Sequence, residues 1–409
     1  MRKTKVWCMT LAATYTLVSI EKPPEMHDSP QPAAPIAQAD PSQRLHLDAG
    51  LIFFLVLTLG VFVAVHHHLE AQFDFGIFYY ASHMVLDGYR HALYNFDAQH
   101  LFQARFHRPP DSLFRNPPVA LLPFLPLAGL PVLAAYAVWT LVSFGILYLS
   151  LKRLERETGL CFGNWPLLLS LVYVPVMGCL LHGQLSILML AAFVFAYALW
   201  KHDRLFLGGL VLSIAALKFQ LILGIAAVLL LRGRWKELAG LTAGGLVLLA
   251  LSASITGIPA LLSYPSFVLH SDLPINELPH MANWQGLLFL LGVNRGFLLA
   301  SLSLLTILWA AWQWKDLDRG LCSAAIAAML VSYHLTPQDL TLTILPIYLC
   351  AKIGILPRKR IPLFLLITFL ALLAVVVIGL PIALLAIPLA AALWWVGRDT
   401  LRHTAPATT

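Results

Sequence analysis

Apolar runs recur along this chain at close to the length needed to cross a hydrocarbon core, ~20 residues each, and short polar stretches separate them. From residue 47 the pattern predicts twelve helical spans, roughly 48–65, 118–150, 164–181, 184–200, 204–217, 219–231, 237–256, 284–314, 320–335, 339–352, 361–379 and 381–397. The eighth reads as one long or broken segment. The fifth and sixth are short for a crossing, and read either as tilted spans or as a re-entrant pair. An outer-membrane barrel is excluded, because its strands would alternate apolar and polar residues. The expectation is an all-α, polytopic transmembrane bundle, with residues 47–400 as one integral membrane domain.

The ends read differently. Arg2, Lys3 and Lys5 precede a modest apolar run, Val6 to Ile20, and a Pro/Ala/Gln-rich stretch follows through Pro41. The run resembles a signal-like apolar region; it also fits a translated upstream extension with Met26 as the start. Residues 1–46 are expected to be a disordered extension, and 401–409 a short cytoplasmic tail.

Composition sharpens this. Of 409 residues, 59% are hydrophobic and 11% charged, against about 25% charged in a soluble domain. The net charge of +7 comes without a basic tail or aromatic-interleaved stripe, so it reads as membrane topology and not as nucleic-acid binding. Under the span map one side receives Lys152, Arg153, Arg156, Lys201, Arg204, Arg232, Arg234, Lys236, Lys315, Arg319, Arg358, Lys359, Arg360, Arg398 and Arg402. The other side receives Arg90, Arg105, Arg108, Arg115, Lys218 and Arg295. By the positive-inside rule the crowded side is cytoplasmic. The unusual polar residues then collect on the outer face, in the loop His66–Pro117, the turns at His182 and Lys218, the loop Gly257–Asn283 and the turn Tyr333–Asp339. The five cysteines are scattered without a CxxC spacing, which gives no case for a metal site or a disulfide framework.

The first outer loop predicts two short helices lying on the membrane. Ile77, Tyr80, Ala81, Met84 and Val85 share one helical face, opposite Ser82 and His83, as in an interfacial helix; Gly88 fits a C-cap, and 97–106 the second helix. Asp74 stands at the N-terminal edge of the first. It fits a helix N-cap, and it fits a general base at the bilayer surface. Asp87, beside Gly88, reads as turn chemistry.

Arg105, Arg108 and Arg115 lead into Asn116-Pro117-Pro118. Three arginines on the poorly charged side suit either anionic headgroups or the phosphate of a lipid-linked substrate. His182-Gly183-Gln184 makes a tight turn, and the helix after it turns its N-terminal amides outward, an anion site or an ordinary hairpin. Lys218, an ionisable residue between two apolar runs, is a functional candidate against simple snorkelling. Asn283-Trp284-Gln285, His334 and Asp339 are weaker candidates that also fit polar caps. His66-His67-His68 with Glu70 reads as an interfacial polar cluster, since consecutive histidines on a helix diverge. No metal or cofactor is expected, and no dinucleotide or Walker fingerprint is present.

In this order the motifs resemble those of the GT-C superfamily of bacterial membrane glycosyltransferases. The resemblance is to the branch of polyprenyl-phosphate-mannose-dependent α-1,2-mannosyltransferases. It rests on Asp74 with Tyr79-Tyr80, Leu86, Gly88 and Tyr94; on Asn116-Pro117-Pro118 with Leu121–Leu127; on His182-Gly183-Gln184; on Ala216-Leu217-Lys218 with Gln220; and on Asn283–Leu287 and His334–Asp339. Asn116 replaces an aromatic before the prolines, and Gln220 stands where proline is common. The resemblance implies an inner-membrane hexosyltransferase acting at the extracytoplasmic face. Its donor would be a polyprenyl-phosphate sugar (mannose in the common case), its acceptor a lipid or glycan. Transfer would invert the anomeric carbon, with Asp74 as base. Arg105, Arg108, Arg115, His182, Gln184, Lys218, His334 and Asp339 would bind substrate. A transporter or flippase of a lipid-linked substrate is the alternative; it would place polar residues along mid-span helices, whereas these spans are clean.

Overall fold

The computed structural model describes residues 74–108, 112–160, 167, 173–270, 275–293, 295–357 and 379–404. Among these the chain is all-helical, with no strand. The expected span 48–65, the histidine run, the span 361–379 and the N-terminal extension lie outside the described residues.

The segment expected to form the first outer loop is folded into the protein. Helix α1, Asp74–Met84, buries Phe75, Gly76, Phe78, Tyr79, Tyr80, Ala81, Ser82 and Met84, so it does not lie on the lipid surface as the amphipathic pattern predicted. A helix apolar nearly all round is a buried helix. Its aromatic face builds the core beneath the site: Phe78 stacks on Phe124 at 4.6 Å, and Phe124 meets Trp139 at 4.5 Å. Helix α2, Phe96–Ala104, holds the segment that follows it. Gln99 accepts from the Phe114 amide at 2.8 Å and donates to the Leu93 carbonyl at 2.5 Å. Gln103 donates to the Ser112 carbonyl at 2.5 Å. These buried amides fix the chain that carries Arg108 and Arg115.

The predicted span 118–150 begins later than expected. Pro118–Leu121 and Leu125–Gly129 are short 3-10 turns set by the prolines, and helix α3 is Val132–Thr158. Then come α4 (Val174–His182), α5 (Ser186–Lys201), α6 (Leu205–Leu212) with a 3-10 turn Ser213–Lys218, and α7 (Phe219–Leu231). Helices α8 (Trp235–Thr256), α9 (Ile258–His270), α10 (Trp284–Leu290), α11 (Arg295–Trp312), α12 (Leu317–Val331), α13 (Ile344–Lys352) and α14 (Ala386–Thr404) complete the order. Helix α9 occupies a stretch expected to be loop. The long eighth segment is broken between α10 and α11, where Gly292 takes φ +65°.

Among the described residues three helical stretches are long and apolar enough to cross a membrane: Val132–Thr158, Leu205–Leu231 and Trp235–Thr256. The second is not one straight crossing. Lys218 leaves helical geometry at φ −123° and ψ 75°. A Cβ on Gly240 would meet the Phe206 carbonyl, and one on Gly244 would meet Ser213, so α6 and α8 run parallel in backbone contact. Small residues permit that approach. Because α8 starts beside the start of α6, α7 must return between them. α6 and α7 are therefore the arms of a hairpin with Lys218 at its tip, which explains why each looked short in the sequence.

Candidate functional site

The site is assembled on the His182-Gly183-Gln184 turn. Gly183 closes α4 with φ +66° and ψ 33°, a left-handed conformation that favours glycine. The same glycine is a contact: a Cβ there would lie 2.6 Å from the Cβ of Phe75. Trp139 donates to the Gly183 carbonyl at 3.0 Å, and Tyr136 to the Leu181 carbonyl at 2.7 Å. The turn is thus held from α3 and presses on the second residue of α1, which places Asp74 beside it.

Asp74 Oδ2 accepts a hydrogen bond from Gln184 Nε2 and lies 3.7 Å from His182 Nδ1. The Asp74 side chain keeps 29% exposure, so the carboxylate is held on one side and open on the other. Two residues along α1, Gly76 leaves a notch that the Arg108 guanidinium fills; a Cβ there would stand 2.8 Å from Arg108 Nη1. Arg108 is buried, also donates to Ser112 Oγ at 3.4 Å, and lies over the Tyr80 ring. Burial lowers its pKa from the ordinary guanidinium value, and Tyr80 and Asp74 oppose that shift.

A second cluster sits at the tip of the α6–α7 hairpin. Lys218 Nζ lies 2.6 Å from Asp339 Oδ1, with side-chain exposures of 5% and 0%. Ser186, at the first turn of α5, donates its hydroxyl to the same oxygen at 2.6 Å. Asp339 Oδ2 accepts from the Thr336 amide and hydroxyl, each at 3.0 Å, closing a capping box on the turn Pro337–Thr343. Asp339 thus meets the first residue of α5 through the Ser186 hydroxyl.

His334 lies in the turn between α12 and Pro337–Thr343. Its Nδ1 is buried, has no hydrogen-bond partner among the described residues and lies 4.0 Å from a Glu277 carboxylate oxygen. Burial pulls its pKa down to about 4; the charges of Lys218 and Arg115 lower it further, while Asp339 and Asp74 act upward. These charges are all close enough to be felt at one ring. Arg115 is half-buried, and its Nε has no hydrogen-bond partner among the described residues.

Asp74, Arg108, His182 and Gln184 therefore form one group and Lys218, Asp339, Ser186 and Thr336 another, and the charges of Asp74, Lys218, Asp339 and Arg115 all act on the His334 ring. Arg105 does not join. It is exposed and lies over Tyr89 and Phe102, 5.5 and 5.4 Å from the ring centres. Asp87 is exposed, and Asn283 caps α10 through the Gly286 amide at 2.9 Å. No group of metal-ligating side chains occurs among the described residues. Sequence reasoning missed Ser186, Thr336 and Gly76; the Thr-x-x-Asp spacing of Thr336 and Asp339 is the signal that marks the cap.

The sequence model of glycosyltransferase family 87 matches residues 114–337, more than half of the chain. The chain belongs to that family. No curated protein and no solved structure matches it. Membership makes it a glycosyltransferase, and its long apolar helices make it a membrane protein. The matched stretch includes Arg115, His182, Gln184, Lys218 and His334; Asp74, Arg105, Arg108 and Asp339 lie outside it.

Proposed function

We propose that this family 87 glycosyltransferase moves a hexose from a polyprenyl-phosphate donor to a lipid or glycan acceptor at the extracytoplasmic face of the bacterial inner membrane. Mannose is the first candidate sugar. Asp74 acts as general base. The observation that carries this reading is the half-exposed Asp74 carboxylate, fastened through one oxygen to the family-matched turn at Gln184. An acceptor hydroxyl must lose its proton as it attacks the anomeric carbon, and a carboxylate within hydrogen-bond reach takes that proton. The bond from the anomeric carbon to the phosphate oxygen breaks, and the polyprenyl phosphate leaves with the electron pair. Arg108 and Arg115 meet that charge. His334 and His182 line the same region. Lys218 and Asp339 neutralise each other, so their part is to hold the hairpin tip against α5 and the turn after α12. No metal or other cofactor is needed for this scheme.

The test uses purified protein in liposomes with radiolabelled polyprenyl-phosphate hexoses and, in parallel, nucleotide sugars. Transfer from the lipid-linked donors alone supports the reading. Transfer from nucleotide sugars alone refutes the donor class.

A further inference from the structure

Gln184 differs from the other polar residues of the site in how firmly it is mounted. Its amide donates to the Cys179 carbonyl at 3.0 Å, and its own carbonyl accepts from Cys179 Sγ at 3.3 Å. Gly183 before it is locked against Phe75. The residue is 7% exposed, too enclosed to be swept by solvent. Its Nε2 donates to Asp74 Oδ2, and its Oε1 is buried with no hydrogen-bond partner among the described residues.

That orphaned oxygen is informative. The amide cannot turn to satisfy Oε1 without aiming it at Asp74, where two acceptors would face each other. A buried acceptor left without a donor costs about 1–3 kcal/mol. Carrying such a cost while spending Nε2 on Asp74 is expected of a residue that serves the carboxylate. Asp74 Oδ2 is thereby occupied, and Oδ1 has no hydrogen-bond partner among the described residues.

Resting on the general-base reading above, we infer that Gln184 is a positioning residue. It fixes Oδ2, presents Oδ1 as the oxygen that receives the acceptor's proton, and does not itself bind the donor phosphate. The hydroxyl proton passes to Oδ1 while the acceptor oxygen bonds to the anomeric carbon. His182, at 3.7 Å from Oδ2, flanks the same oxygen, so Gln184 and His182 crowd one side of the carboxylate and leave the other for substrate.

The experiment compares wild type, Asp74→Asn, Gln184→Leu and Gln184→Glu in liposomes, measuring kcat and KM for the lipid-linked donor across pH, together with thermal unfolding. Gln184→Leu removes the donor to the charged carboxylate. Its kcat should fall 10- to 100-fold with donor KM nearly unchanged, and the acid limb of its pH–rate profile should move to higher pH, because losing a hydrogen bond to the charged form disfavours that form. Gln184→Glu donates only when protonated, so its activity should be nearest wild type at low pH and fall as the pH rises. Wild-type kcat and acid limb in Gln184→Leu overturn the inference, as does a rise in donor KM without loss of kcat. So does activity lost only in proportion to thermal stability, with neither variant's pH profile displaced. An active Asp74→Asn instead sinks the general-base reading, a result recognisable whatever the Gln184 variants do.

Discussion

Lys218 and Asp339, 121 residues apart in sequence, meet as a buried ion pair 2.6 Å long. Each charge is met by the other. Removing one partner of a buried pair strands the other, at a cost of about 3–5 kcal/mol. Lys218→Met and Asp339→Asn should each lower the Tm strongly in detergent. The double variant Lys218→Met with Asp339→Asn should lose less than the sum, with a coupling on the order of 1–3 kcal/mol. Strictly additive losses would mean the pair is not acting as a unit.

Gly76→Ala separates helix stability from function. Alanine is favoured over glycine in a helix by about 1 kcal/mol, yet its Cβ would enter the space of the Arg108 guanidinium, 2.8 Å from Nη1. The expected outcome is an unchanged or slightly raised Tm with donor KM raised several-fold. Unaltered KM would remove Arg108 from the donor site.

Gly183→Ala acts in the opposite sense. It meets both a left-handed backbone, φ +66°, and the Cβ of Phe75 at 2.6 Å. The strain alone is worth about 1–2 kcal/mol, and the clash pushes α1 and Asp74 off the turn. Lower Tm and lower kcat should appear together. Gly183→Ala combined with Phe75→Ala should regain part of the kcat if displacement of α1 is the cause.

His334 sets a pH dependence. Its folded pKa, pulled down to about 4 chiefly by burial, lies below the ordinary value of about 6.5. Between these values the unfolded chain binds the proton and the folded protein does not, so stability is full above pH 6.5 and declines as the pH falls toward 4. The upper bound is on the order of 3 kcal/mol. Unfolding scans from pH 7 to 4 should show this decline flattened in His334→Gln; an identical decline would assign it to other groups.

Much of the helix order was legible because apolar run length is a direct demand of the bilayer. The α6–α7 hairpin was legible only as two short runs, since its reversal depends on the Gly240 and Gly244 contacts with α6, which lie more than 20 residues away in sequence. Helix α1 was misread because spacing alone does not tell an interfacial face from one side of a buried helix; Phe75 and Phe78, on its other faces, were the warning. Asp74 and Gln184 each stood out in the sequence, but their hydrogen bond did not, because it depends on how Gly183 seats Phe75. Lys218 and Asp339 were both singled out as substrate ligands, and nothing in their spacing revealed that they face each other. Arg105 resembled Arg108 in sequence, and only the Gly76 notch tells them apart.

The central claim is that Asp74 takes the acceptor's proton. Asp74→Asn keeps the shape and removes the base, and Gln184 remains in place to hold it. The account predicts that sugar transfer from a polyprenyl-phosphate donor, present in the wild type, vanishes in this variant while its Tm and protease accessibility match wild type. Transfer at an undiminished rate by a correctly inserted Asp74→Asn protein would contradict it.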